Sequence, residues 1–369
     1  MLVCFIVLRF ARIGDLFVLF QNINVKTSEM REFGSDFHFC NDIKRGLPFS
    51  DYFPKVIYYA CGRQALLAVL ERGKYRRVWF PRYFCYDVID YICQTGIKVS
   101  FYNDFPGNQD DDDVIDKLNF QVGDVLLRMN YFGTRSWRDN SRVPVPVIED
   151  HSHDLIGEWS IKSNANWCIA SLRKTLPIAE GGVLWSPVGY VLPQVEQTNE
   201  NEFFSKNRFM AMEMKRRYLV GEDVEKGKFR DVYMATENGF KDLPLSRIST
   251  DSLELVQSIG IEEWYLQKKK NWNHLLQACF SSAVCLPLEN EQCNPFSLVL
   301  LFNSNLKREE VRVELIKRNI YPSVLWNLPE NSTGKEIDIS KRMLSLHCDG
   351  RYTLENMQEL RNELEEICN

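Results

Sequence analysis

The sequence contains no Cys-x-x-Cys pair, no block of basic residues, no internal repeat and no low-complexity linker. Each absence removes a class of protein. Eleven cysteines in unpaired spacings and only five histidines leave neither a zinc-ligand pattern nor a disulfide framework. The thiols therefore read as reduced side chains of a cytosolic protein, mostly filling its core, and no metal site is expected. Forty-five Lys and Arg against fifty Asp and Glu give a net charge of -5, with no cluster able to neutralise a phosphate backbone, so nucleic acid is not an expected partner. Long apolar runs are missing as well. The first twenty residues are apolar, but Arg9, Arg12 and Asp15 cut them into pieces too short to span a bilayer, and no small-residue cleavage site follows. The segment reads as an N-terminal strand or arm, or as translation begun upstream of the natural start, rather than as a signal or anchor. No membrane association is expected.

What is present is the balance of a globular chain: 369 residues, 45% hydrophobic and 26% charged. That length buries a substantial core without disulfides or metal and predicts two domains, or one with an appendage. From residue 56 onward, short β-branched or aromatic runs alternate with stretches of helical period. Val56-Ile57-Tyr58-Tyr59 predicts a strand, residues 63–72 a helix, Val78-Trp79-Phe80 a strand, residues 86–95 a helix and residues 98–102 a strand. This βαβαβ order predicts a parallel sheet covered by helices, with ligands gathered at the carboxyl ends of its strands. The aspartates Asp110, Asp111, Asp112 and Asp113 lack the alternating ligands, central Gly and closing Glu of an EF-hand loop, and read as a solvated turn. Residues 125–129 and 145–148 supply two further buried strands, and Val183-Leu184-Trp185 another, stopped by Pro187. Residues 196–241 read as polar helix over the surface, and residues 251–280 as one long helix or two in series. A strand at 297–302, a helix at 308–318, a strand at 344–347 and a final amphipathic helix at 354–368 complete the pattern. A boundary near residue 280 divides a large domain, 55–280, from a small C-terminal domain, 281–369; residues 1–54 form an arm whose first 32 residues are mis-started or disordered.

Four local features stand at predicted strand ends. In Tyr59-Ala60-Cys61-Gly62-Arg63 a strand turns through Gly into a helix, whose free N–H groups and dipole suit a phosphate, although a plain turn has the same pattern. Glu149-Asp150-His151-Ser152-His153 puts a carboxylate where it could pair with a positive ring nitrogen; an N-cap, or a metal bound by Asp150, His151 and His153, are the competing readings. In Ser171-Leu172-Arg173-Lys174, ahead of Glu180-Gly181-Gly182, Lys174 is either a surface charge or an amine made nucleophilic by desolvation or by a nearby cation such as Arg173. Ser171 and Arg173 could also hold phosphate. Pro81-Arg82-Tyr83-Phe84-Cys85-Tyr86 offers aromatics for a flat ligand, or for the core.

A phosphate-binding helix start, an acid for a ring nitrogen, an amine for an aldehyde and an aromatic lid, in this order, resemble the pyridoxal-phosphate-dependent sugar aminotransferases of the DegT/DnrJ/StrS type. The resemblance extends from Phe33-Gly34-Ser35-Asp36-Phe37 to the C-terminal helix. It implies an α/β fold of type I, with a large domain whose mainly parallel sheet is flanked by helices and a smaller C-terminal α/β domain. It implies Lys174 as the Schiff-base lysine and proton carrier, Asp150 as partner of the pyridinium nitrogen and His153 beside the phenolic oxygen. Cys61, Gly62 and Arg63 would meet the phosphate, with Ser171, Arg173 and Arg247 around it. Asn130, in Asn130-Tyr131-Phe132-Gly133, resembles the family's turn beside the cofactor, and Lys270-Asn271-Trp272-Asn273 its Arg-x-x-Asn-Tyr helix.

Three departures accompany the resemblance. Ser171 stands only three residues before Lys174, the family's interface Asn before Arg247 is missing from Leu245-Ser246-Arg247-Ile248, and the stacking aromatic falls nearest Cys85, leaving Phe84 or Tyr86 as substitutes. The implied activity is amino transfer from a donor such as glutamate to a keto sugar, carried on a nucleotide, by a cytoplasmic homodimer with sites at the subunit interface. A pyridoxal-phosphate-dependent sugar dehydratase and a non-catalytic binding or regulatory protein on the same fold are the alternatives.

Overall fold

The computed structural model describes residues 32–369 apart from 331 and 333; the apolar opening segment lies outside the described residues. The predicted extended runs become β2 (Val56–Tyr59), β3 (Arg77–Pro81), β4 (Lys98–Tyr102), β5 (Asp124–Met129), β6 (Val147–Asp150), β7 (Trp167–Ser171) and β8 (Gly182–Trp185), after a two-residue β1 (Phe33–Gly34). These seven longer strands form one sheet in the order β2-β8-β7-β6-β5-β3-β4. Parallel pairing joins β4, β3, β5, β6 and β7, and only β8 runs against its neighbours, β7 and β2. The mainly parallel α/β fold is thus the one expected, with one adjustment. β2 does not sit beside β3, the next strand in sequence, but closes the far edge, because the helix between them, α1 (Gly62–Arg72), crosses β7 and β8.

The central strands explain the burial. Every residue of β5, β6, β7 and β8 is buried, as a parallel sheet covered on both faces requires. One face packs α1 and α2 (Tyr86–Cys93) with Leu66, Val69, Leu127 and Ile148; the other packs Leu126, Cys168, Val183 and Trp264. The polar segment after β8 forms α3 (Asn199–Leu219) and α4 (Lys226–Gly239), which bury Phe209, Met212, Phe229 and Tyr233 against each other and are more than a surface layer. Two helices in series follow, α5 (Thr250–Ser258) and α6 (Ile261–Leu275), split at Ile259 and Gly260.

The rest of the chain builds a second, smaller layer: β9 (Ala283–Cys285), β10 (Leu298–Phe302), α7 (Asn305–Lys317), β11 (Ile320–Tyr321), α8 (Lys335–Arg342), β12 (Met343–Leu346) and α9 (Leu354–Cys368). The order β12-β10-β9 makes an antiparallel sheet, while β11 pairs with β1. Leu298, Leu300, Leu315, Leu344 and Leu360 share its core with Phe33 and Trp272. The long apolar residues of α9 sit at helical spacing, and Thr353 caps the helix reciprocally with Asn356.

The aspartate tract corrects the expectation of a solvated turn. Residues 111–115 are helical, Asp111 is 1% exposed, and it accepts from Arg128 at 2.5 Å and Arg138 at 3.1 Å. Arg128 is itself buried in β5, so its charge requires a buried partner. Arg138 also grips Glu289 with both terminal nitrogens, which ties the small layer to the large one. The ten described cysteines are free and five are buried, so thiols fill the core less uniformly than expected. Among the described residues no helix is long and apolar enough to cross a membrane.

Candidate active site

β5, β6 and β7 are parallel neighbours, so their carboxyl ends deliver Asn130, Asp150 and Ser171 to one edge of the sheet. This is where an open α/β sheet gathers ligands. α1 starts at the same edge. Its first residue, Gly62, lies so close to β7 that an added Cβ would stand 3.1 Å from Cβ of Ser171. Gly182 is more restricted: a Cβ there would meet the carbonyl carbon of Cys61 at 2.3 Å. Gly182 is therefore dictated by close backbone approach, and Gly62 is packed tightly against β7. Cys61 directs its carbonyl to the N–H groups of Gln64 and Ala65, and the first N–H groups of the helix, at Gly62 and Arg63, have no intrahelical acceptor. Ser171 adjoins these donors, and free N–H groups at a helix start are the kind that suit an anion. The shortened Ser171-to-Lys174 spacing leaves Ser171 next to Gly62.

The Lys174 segment is held to Asp150 by a chain of hydrogen bonds. Ser152 donates through N (2.9 Å) and Oγ (2.5 Å) to Oδ1 of Asp150, and its Oγ accepts from Ser171 N at 2.8 Å. Thr175 Oγ1 donates to the Ser152 carbonyl at 3.0 Å, and Trp264 Nε1 to the Thr175 carbonyl at 2.9 Å. The turn carrying Lys174, residues 172–174, is thereby fixed to the end of β6. Oδ2 of Asp150 takes none of these bonds, in a residue 8% exposed. Ser152 carries this connection although sequence reasoning gave it no role; the Asp-x-Ser spacing, which favours a local side-chain turn, was the available signal.

His153 is fully buried, and its Nδ1 accepts from the Phe132 N–H at 2.9 Å. That bond leaves the proton of a neutral ring on Nε2, which has no partner. Burial, then the charges of Lys174 and Lys268, push the imidazole well below the usual histidine range, so the ring stays neutral. Its plane lies within 23° of those of Phe132, Phe296 and Trp326. Nζ of Lys174 stands over the Trp326 indole, 5.3 Å from its centroid. Lys268, also buried, has its ammonium destabilised chiefly by burial, and packs on Tyr265 and Phe296. Asn130 adds an amide whose nitrogen and oxygen are both buried and unpartnered.

Other expected residues stand apart. Arg173 pairs with Glu237 at 2.7 Å and lies over Phe240, so its guanidinium is already engaged. Arg247 is exposed; its segment runs beside the end of β2, with Ala60 donating to the Ser246 carbonyl. Phe84 is buried against Phe80 and Trp326, and Tyr86 stacks on Phe101. The metal reading through Asp150, His151 and His153 is not supported by geometry, because His151 turns to Glu149 at 3.0 Å on the opposite face. Among the described residues, the ligand atoms of Glu149, His151 and Cys168 do come together, but Glu149 there already accepts from His151, Ser163 and Asn140.

No protein-family model and no curated protein matches the sequence. Solved structures do match. An aminotransferase TlmJ from Streptoalloteichus hindustanus superposes with a TM-score of 0.58 at 10% identity, over 91% of this chain and 98% of that one. The putative sugar aminotransferase Spr1654 from Streptococcus pneumoniae, in its PMP form, gives 0.59 at 13% identity over 89% and 92%. Sugar aminotransferase CalS13 from Micromonospora echinospora gives 0.58 at 14% over 90% and 98%. The fold that the resemblance implied, that of the sugar aminotransferases, is the fold of this chain.

Proposed function

We propose that this chain is a pyridoxal-phosphate-dependent aminotransferase that passes an amino group from an amino-acid donor such as glutamate to a keto sugar, carried on a nucleotide. The observation that carries the reading is the lock between Lys174 and Asp150: a lysine on a short turn bound through Ser152 to a carboxylate with one oxygen left open. The residues fit the cofactor in three respects. Gly62 lies tightly against Ser171, His153 Nε2 and the Asn130 amide are buried without partners, and Asp150 presents an unused acceptor. The similar solved structures, which include a PMP form, support the same reading.

When bound, pyridoxal phosphate supplies an aldehyde and an electron-withdrawing ring that carry the amino group between the two substrates. The N–H groups of Gly62 and Arg63 and the Ser171 hydroxyl would hold its phosphate, where the helix dipole favours negative charge. Asp150 would keep a proton on the ring nitrogen, since an opposite charge nearby favours the ionised form of both groups. His153 would donate from Nε2 to the phenolic oxygen. Lys174 would be the residue linked to the cofactor's aldehyde, and its Nζ the atom that carries a proton to and from the substrate carbon. Arg173 belongs to this assignment only at a distance, steadying the turn through Glu237. Phe84 packs on Phe80 and Trp326 and Tyr86 on Phe101, so neither expected aromatic takes part directly in this assignment.

The homodimer, the cytoplasmic location and the division near residue 280 belong to the same proposal. Exposed Leu245 and Arg247, beside the start of α1, support a subunit contact, and light scattering of the purified protein tests it. The primary test is the visible absorption of protein mixed with pyridoxal phosphate, before and after borohydride, for wild type and Lys174→Ala. A reducible link formed only with Lys174 is the expected result; no link, or one indifferent to Lys174, moves the assignment to a binding role on this fold.

A further inference from the structure

The aromatic residue that should face the cofactor ring is the one part that the chain near residue 85 fails to supply. Phe84 is 2% exposed and spends its ring on Phe80, 5.2 Å away between centroids. Tyr86 stacks on Phe101, 6.0 Å away between centroids. Trp326, from the connection between β11 and α8, stands instead where four residues of the large layer converge. Its centroid is 5.5 Å from that of His153 with planes 18° apart, 5.9 Å from both Tyr83 and Phe84, and 5.3 Å from Lys174 Nζ.

The indole is a fixed wall. Tyr83 Oη donates to the Leu325 carbonyl at 2.5 Å, and Ser340 Oγ to the Trp326 carbonyl at 2.5 Å. Both the large layer and α8 therefore grip its backbone. The neighbouring rings favour a planar guest: Phe132, Phe296 and Trp326 all lie nearly parallel to His153, with Phe296 at 4.3 Å. With the Lys174 amine 5.3 Å from the indole centroid, a planar ring attached to it would lie close to that indole, and aromatic rings pack at centroid separations of ~4.5–7 Å.

We propose that Trp326 supplies the aromatic face against which the pyridoxal ring lies, replacing the aromatic missing at Cys85. This rests on the pyridoxal-phosphate reading and goes beyond it, since a residue of the small layer then takes part in holding the cofactor. Without cofactor the indole receives the free Lys174 ammonium by a cation–π contact. Closing the site thus requires the small layer to be docked.

The test is equilibrium binding of pyridoxal phosphate, followed by absorbance and by quenching of tryptophan fluorescence, in wild type, Trp326→Phe, Trp326→Ala, Phe84→Leu and Tyr86→Phe. Thermal melts establish that each variant is folded. Trp326→Ala is expected to weaken binding about tenfold, the scale of one aromatic pair with its buried area. Trp326→Phe should restore most of the affinity while losing a large part of the quenching, and the other two should stay within about twofold of wild type. Equal affinity for wild type and Trp326→Ala, with the Lys174 link still formed, overturns this inference and leaves the cofactor reading standing. A loss confined to Phe84→Leu or Tyr86→Phe overturns it equally. Absence of any link in wild type removes both.

Discussion

Glu149 and Asp150 are consecutive residues of one strand and have opposite surroundings. Glu149 points to one face of the sheet, where His151 Nε2, Ser163 Oγ and Asn140 Nδ2 all donate to it. Burial alone would raise its carboxyl, but these bonds and the His151 charge hold it below the usual range. Asp150 points to the other face, has one oxygen tied by Ser152, and keeps the second open. Both are buried acids in the same four-residue strand, and a census of charge would treat them alike. The difference is in what each still needs. A buried carboxylate served on both oxygens is a structural part, and one served on a single oxygen at a strand's carboxyl end is available to a ligand.

The sharpest way to test this contrast is to remove the amine that Asp150's network positions. Lys174→Ala should lower amino transfer by about 10³ or more, the scale expected when a positioned proton carrier is lost, with a melting curve like that of wild type. Glu149→Ala should do the reverse. Taking one partner from a buried charged network costs about 3–5 kcal/mol, so urea denaturation should show a large loss of stability, while whatever protein stays folded still forms the Lys174 link. If Glu149→Ala instead abolished cofactor binding with stability intact, the division between the two faces would be wrong.

Asp150→Asn is isosteric and keeps an acceptor for Ser152. It should leave stability within about 1 kcal/mol, as expected when a hydrogen bond is retained, and lower turnover by about 10². Paired measurements of kcat and of the unfolding midpoint separate these effects.

Glu180 is an intermediate case. Its Oε1 accepts from Ser249 N and Oγ, its Oε2 has no partner, and burial raises its carboxyl to about 7 despite the Ser249 bonds. A folded pKa above the unfolded one means that the folded state holds the proton more tightly. Stability from this group is therefore greatest below the unfolded value of 4.5 and declines as pH rises toward about 7. Glu180→Gln should raise stability by on the order of 2 kcal/mol at pH 8 and by nothing near pH 4, read by urea melts at the two pH values. Ser152→Ala, the smallest change, should cost about 1–2 kcal/mol by leaving Asp150 Oδ1 and the Ser171 N–H short of one bond. Its cofactor link should also form more slowly, because the Lys174 turn loses its tether.

Periodicity alone determined a great deal. The strand Val56–Tyr59, the strand Lys98–Tyr102 and the helix Leu354–Cys368 fall at the residues that the pattern predicts, because alternation of two and of about 3.6 report directly which face of a strand or helix is apolar. The position of Lys174, Asp150, Gly62 and Ser171 at strand ends was also legible, since Gly and the end of an apolar run mark where the chain turns. Tertiary structure decided which of these ends meet. A strand's own sequence says that it is buried but not beside which partner, so the placement of β2 at the edge next to β8 could not be read from it. For the same reason the aspartates before Val114 looked solvated until Arg128 and Arg138, both distant in sequence, were brought against Asp111. Trp326 is the clearest case. Local pattern gives an indole in a connection no role, and only the docking of the small layer sets it over Lys174, 152 positions earlier in the chain.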